Sequence, residues 1–207
     1  MHFVNEMDRR GMLGRIAAIV GATAAGALSP SALANAASTP KRFLDAPVFS
    51  LLAAVSETIV PRTDTPGAID AGVPATVDAL LLNWASGERR YALTQALARI
   101  DARSRAEHGK GFAELVPEDR HALLVAHDVA ALKVDPNAPK LSGIAAMMAG
   151  PAVADRAYAK LKELIVLAYY MSEPALTHEL SYEHAPGEWQ PSIPVTLQTR
   201  PAAGTMF

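Results

Sequence analysis

Six histidines are the residues best suited to acid–base or metal chemistry in this chain, and their spacing argues against both. His121 and His127 lie on one predicted helix, about 240° apart at helical periodicity. They face different ways, whereas a shared metal needs i,i+3 or i,i+4 spacing. His108 falls at a predicted helix C-terminus, where the helix dipole favours a cation. His178 and His184, with Glu179 and Glu183 nearby, could in principle hold a metal, but solvated polar side chains explain them better. His2 belongs to a segment expected to be removed. Among the carboxylates, Glu118 and Asp119 suit the electrostatics of a helix start, and Asp64 suits turn formation. No G-x-S-x-G elbow or G-x-G-x-x-G fingerprint occurs. Gly109-Lys110-Gly111 follows no strand, so it is no phosphate loop, and Met147-Met148 among alanines reads as core filler. The expectation is a chain with no catalytic, cofactor-binding or metal site of its own.

Composition narrows the chemistry further. Cysteine is absent, which excludes disulfides, thiolate zinc sites, cysteine-ligated iron–sulfur clusters and covalent c-type haem on this chain. The net charge is −2 with no basic run, so nucleic acid is not an expected partner.

The first 34 residues have the three parts of an export signal. Arg9-Arg10 supply a charged start, Ile16 to Leu28 a weakly apolar run, and Ala32-Leu33-Ala34 a small-residue cleavage site, with Ala36 as the alternative. The run is shorter than the roughly 20 apolar residues of a spanning helix. Gly21, Thr23 and Gly26 dilute it below an ordinary secretory signal. The paired arginines point to the twin-arginine route, which carries folded cargo, and hence to the periplasm.

The elements that must position any function are helical. Asp45 as N-cap and Pro47 in the first turn start a helix with Val48, Leu51, Leu52, Val55 and Ile59 on one face, closed by Pro61. Further helices are predicted from about Pro74 to Trp84, Glu88 to Glu107, Pro117 to Leu132, and through Tyr158, Leu161, Leu164 and Ile165 to Tyr170. On the third of these, Arg89, Arg90, Arg99, Arg103 and Arg105 read as a solvated face. Arg62 to Ala68 is turn chemistry, with Asp and Thr side chains able to bond nearby amides. After Tyr170, Pro174, Pro186, Pro191 and Pro194 punctuate a segment that reads as extended. Such a segment cannot build its own core. It is either a loose or self-packed end, or an arm across a partner anchored by Tyr182 and Trp189. The organisation expected is all-α: a signal over 1–34, one small helical domain over 35–172, and a long extended C-terminal arm over 173–207.

Particular motifs then carry a resemblance. Glu57-Thr58-Ile59-Val60-Pro61, Thr63-Asp64-Thr65-Pro66-Gly67-Ala68 and Ala71-Gly72-Val73-Pro74 strongly resemble the gluconate 2-dehydrogenase subunit 3 family. Tyr169-Tyr170-Met171-Ser172-Glu173-Pro174 is similar to its aromatic-Thr-Ser-Glu stretch, with Met171 where Thr is more usual. Leu180-Ser181-Tyr182 with Pro186-Gly187 is similar to its closing pattern. The resemblance implies a non-catalytic small subunit of a periplasmic sugar, glycoside or polyol dehydrogenase. Its large subunit, of glucose–methanol–choline type, would hold FAD and the catalytic histidine, and a cytochrome c carrying haem c would take the electrons. The small subunit would escort the large one through the twin-arginine translocase. On this reading Thr63, Asp64, Thr65, Pro66 and Gly67, with Tyr170, Ser172, Glu173, Pro174, Tyr182 and Trp189, are the expected partner interface. The rival reading is a stand-alone periplasmic helical binding or scaffold protein.

Overall fold

The computed structural model describes residues 42–136, 152–181, 192, 194–196 and 199–201. Arg9, Arg10, Ala34, Tyr182, Trp189 and the Met147-Met148 pair lie outside them. Among the described residues the body is built of α-helices with no strand, as the hydrophobic periodicity required. These helices are α1 (Ala46–Ile59), α2 (Val73–Asn83), α3 (Gly87–His108), α4 (Pro117–Ala131) and α5 (Arg156–Tyr170).

Helix α1 starts as its sequence dictates. The Asp45 carboxylate accepts from the Val48 N–H at 3.1 Å, and Pro47 sits where a missing N–H costs nothing. Leu51, Leu52 and Val55 enter the core. Helix α2 begins at Gly72, which holds a left-handed φ of 68° that a side chain would strain. Its Asp78, only 3% exposed, accepts from the Leu44 N–H at 2.7 Å and the Phe43 N–H at 3.3 Å. A buried carboxylate thus fastens the chain where it enters the body.

Helix α3 runs from a Ser86 N-cap to Gly109, again left-handed at φ 71°. Of the arginines expected on its solvated face, Arg99 and Arg105 are exposed as expected, yet four of the five also carry specific bonds. Arg90 donates from Nε to the Leu81 carbonyl at 2.7 Å and from Nη2 to the Leu82 carbonyl at 2.8 Å, so it caps the C-terminus of α2. Arg99 grips Asp155, the N-cap of α5, with two bonds of 2.8 Å. Arg103 and Arg105 pair along the helix with Glu107 and Asp101. Periodicity alone cannot see this, because the long arginine stem lets a surface position reach an adjacent helix end.

After a 3₁₀ turn that buries Phe112, α4 packs Leu123, Leu124 and Ala131 inward. Its end is tied to the start of α5 by an isolated bridge between Val134 and Val153. Three backbone bonds of 2.9–3.0 Å reinforce it: Asp135 N–H to Ala152 O, Ala154 N–H to Lys133 O and Asp155 N–H to Ala131 O. Helix α5 packs against α1, α2, α3 and α4 and is the central element of the body. Its Tyr158, Leu161, Leu164 and Ile165 are fully buried or nearly so.

The segment after α5 departs from the expected extended chain at its start. Ala175–Glu179 forms one π-helical turn, and Ala175 is fully buried. Pro174 has a helical φ of −57°, and the Ser172 hydroxyl donates to the Tyr169 carbonyl at 2.6 Å while accepting from the Ala175 N–H at 3.3 Å. Pro174 therefore starts a turn here instead of ending helical structure.

His121 is exposed on α4 while His127 is half-buried with its ring edge-on to Tyr158, centroids 4.7 Å apart. The His127 Nε2 is buried without a hydrogen-bond partner. Burial, and then Arg103, push its pKa below the usual histidine value. Asp155 and Asp128 oppose that shift and Arg99 adds to it. The unfolded chain therefore takes up the proton first, and stability should fall as pH drops from near 7 through about 6.5 and on through the lower folded value. The melting temperature of the wild-type body is expected to decline between pH 7 and 5. His127→Phe should flatten that decline; an unchanged slope would remove His127 as its source.

Candidate functional site

The loop joining α1 to α2 is organised by side chains at its two edges. Glu57, in the last turn of α1, accepts from the Arg62 N–H through Oε1 at 3.1 Å and from the Ile69 N–H through Oε2 at 2.8 Å. Asp70 accepts from the Gly67 N–H at 3.2 Å and lies 3.5 Å from the Arg62 guanidinium. Inside this frame the Ala68 N–H donates to the Val60 carbonyl at 2.9 Å, and the Thr63 N–H to the Thr65 carbonyl at 3.1 Å. The Thr63 hydroxyl accepts from the Thr65 N–H at 3.4 Å, as threonine turn chemistry suggested. Asp64 is exposed and makes none of these bonds; the turn-forming carboxylates are Glu57 and Asp70. Glycine is required at 67 by space: a Cβ there would stand 2.5 Å from Glu57 Oε1 and 2.7 Å from the Arg62 nitrogen.

The far end of the chain closes on this loop. Tyr169, in the last turn of α5, is buried and donates its hydroxyl to the Pro66 carbonyl at 2.8 Å. The same oxygen lies 3.5 Å from Glu179 Oε2 in the π turn. Burial is the main cause that raises the Tyr169 pKa, so the hydroxyl stays a donor at neutral pH. Tyr170 stands edge-on to it with centroids 5.2 Å apart.

Of the residues expected at a partner interface, Thr63, Asp64 and Glu173 are exposed, and Thr65, Pro66, Tyr170, Ser172 and Pro174 are half-buried. Gly67 is buried and shapes the loop from within. Two stretches a hundred residues apart in sequence thus meet at one end of the bundle, joined by the Tyr169–Pro66 bond. The residues that shape the loop, Glu57 and Asp70, and those that join it to the C-terminal stretch, Tyr169 with Glu179, were not singled out as site residues by sequence reasoning. Glu57 and Tyr169 do stand inside the quoted motifs, but only the fold brings the Tyr169 hydroxyl to the loop that Glu57 braces.

Chemically, this end offers a shaped and acidic surface. Both oxygens of Glu57 are committed to backbone amides. Among the described residues, no group of three or more His, Asp or Glu could hold a metal ion. No described helix is long and apolar enough to cross a membrane. His178 contacts Thr177 and the Pro174 carbonyl, which places it in the frame of the π turn.

No curated protein and no solved structure gave a match to the chain. A family model does match, over residues 46–187, from the first residue of α1 past the π turn. The match takes in the α1–α2 loop, Tyr169 and the turn that closes on it, and by it the chain belongs to the gluconate 2-dehydrogenase subunit 3 family, a family of dehydrogenase small subunits.

Proposed function

We propose that this chain is the non-catalytic small subunit of a periplasmic FAD-dependent dehydrogenase that oxidises sugars, glycosides or polyols. Its large subunit is a flavoprotein of glucose–methanol–choline type. The family supports the dehydrogenase complex. The observation that supports a docking role within such a complex is the surface made by the Thr63–Gly67 loop and the Tyr170–Pro174 stretch, joined by Tyr169 on Pro66; the periplasmic, FAD-dependent character rests on the resemblance. A partly exposed surface that is braced from behind by Glu57 and Asp70 and presents Asp64 and Glu173 to solvent suits recognition of another protein.

Oxidation itself would belong to the partner, whose FAD would supply the hydride acceptor and whose own base would take the hydroxyl proton, with a c-type cytochrome as the onward electron acceptor. This chain contributes a docking surface extended by the C-terminal segment with Tyr182 and Trp189, and the export signal. The pair Arg9-Arg10 directs the folded complex to the twin-arginine translocase, with cleavage after Ala34.

Co-expression with the flavoprotein tests the reading. Arg9→Lys together with Arg10→Lys is expected to leave an FAD-loaded, active large subunit in the cytoplasm, with periplasmic activity reduced at least tenfold. Normal export of the large subunit by that variant would remove the escort role. An FAD-bound, active preparation of this chain alone would overturn the whole assignment.

A further inference from the structure

An open groove of about 630 Å³ runs between the start of α1 and the middle of α3, away from the loop end of the bundle. Its apolar walls are Phe43, Leu44, Val48 and Leu51 on one side and Ala98 and Ala102 on the other, and polar side chains of α3, among them the Asp101–Arg105 ion pair, flank the two alanines. Ala98 and Ala102, one turn apart, form an exposed, smooth strip on α3. The chain enters the body at this groove, because Asp78 fixes Phe43 and Leu44 at its lip. Forty-one residues precede Arg42, and they include the apolar run Ile16 to Leu28.

We infer that the groove is the docking site of the chain's own run Ile16 to Leu28 before that run is removed. Three observations favour this occupant. The run ends 15 residues before Phe43, a tether that reaches about 50 Å when extended, so every part of the groove is within range. Ala17, Ala18, Gly21, Ala24 and Ala25 give the run a low relief that can approach the Ala98–Ala102 strip closely, as small residues permit between packed segments. Arg105 in the groove wall is paired with Asp101 at 2.8 Å, so Asp45 on the rim leaves the groove net negative, opposite in charge to Arg15, which precedes the run. An apolar segment of this kind is costly to leave in water, and the groove shelters it beside its own folded body until the export machinery takes it. The docking itself needs only the run and the groove; the removal of the run and its release to the export machinery rest on the proposed function.

The chain has no native cysteine, so disulfide trapping in the full-length protein is a clean test. Single cysteines at Ala17, Ala18, Ala24 or Ala25 are combined with Ala98→Cys in the groove, or with Val129→Cys on the outer face of α4, where Val129 is 71% exposed. At least one pair with Ala98→Cys is expected to close intramolecularly ten times faster or more than the same position paired with Val129→Cys, since closure requires Cα atoms within about 7 Å. Ala102→Arg, a change at an exposed position, should abolish that advantage. Equal rates for both partners would overturn the inference. Predominant cross-linking between chains would do so too, because it would make a second copy the occupant.

Discussion

Asp78→Ala is expected to be the most destabilising single substitution at a polar position of the body, lowering stability by about 3 kcal/mol. The carboxylate accepts from two backbone N–H groups, and the bond to Leu44 is buried. Hydrogen bonds to a charged acceptor are worth roughly 1.5–3 kcal/mol each, and donors left buried without a partner add their desolvation cost. Against this stands the relief of no longer burying a carboxylate, so the sum stays below the simple total. Asp78→Asn keeps one acceptor oxygen and is expected to cost about half as much. A urea titration checks both: the midpoint should fall in the order wild type, Asn, Ala, with an unchanged slope. An unfolding free energy for Asp78→Ala within about 0.5 kcal/mol of wild type would show that the chain entry holds without the carboxylate. In that case Phe43 and Leu44 would be fixed by apolar packing alone.

Gly67→Ala is the second large effect, and it acts on assembly more than on the helices. The new methyl group would stand 2.5 Å from Glu57 Oε1 and 2.7 Å from the Arg62 backbone nitrogen. Glu57 can rotate away, but it then gives up its bonds to the Arg62 and Ile69 amides; the contact with the Arg62 backbone is relieved only by moving the loop itself. A displaced loop loses the Pro66 carbonyl as acceptor for Tyr169, and with it the joint surface. Copurification of the flavoprotein is expected to fall more than tenfold while far-UV circular dichroism keeps its helical signal. Glu57→Gln separates shape from charge, because it leaves one acceptor oxygen in place; it should lose less of the complex than Gly67→Ala. Full copurification with Gly67→Ala would move the partner surface elsewhere on the molecule.

How much of this was legible beforehand differs from element to element, for physical reasons. The start of α1 could be read to the residue, because an aspartate N-cap followed by proline in the first turn is a local signal. The core faces of α2 and α5 followed from period 3.6 alone. Three things were hidden because they depend on distant residues. Arg90 looks like any surface cation until α2 ends beside it. Asp64 and Asp70 are both carboxylates near a turn, and only the path of the backbone decides that Asp70 makes the bond. The hydrogen bond from Tyr169 to Pro66 spans 103 residues, a separation that no window along the sequence can sense. The π turn was obscured differently: Pro174 breaks the helical pattern in sequence, yet a buried Ala175 and the Ser172 hydroxyl make it the first residue of a new turn.

The bridge between Val134 and Val153 has a further consequence, for the tolerance of the chain to change in length. Because backbone bonds set Asp135 beside Ala152, these two positions are held side by side. The Asp155 N–H to Ala131 carbonyl bond at 2.9 Å further ties the start of α5 to the end of α4, so the two helices are held together by contacts of their own. Each doubling of a stretch whose ends are held in this way costs only about 0.6 kcal/mol in chain entropy. That makes this point on the body the natural site for an epitope, a fluorescent reporter or an inherited insertion.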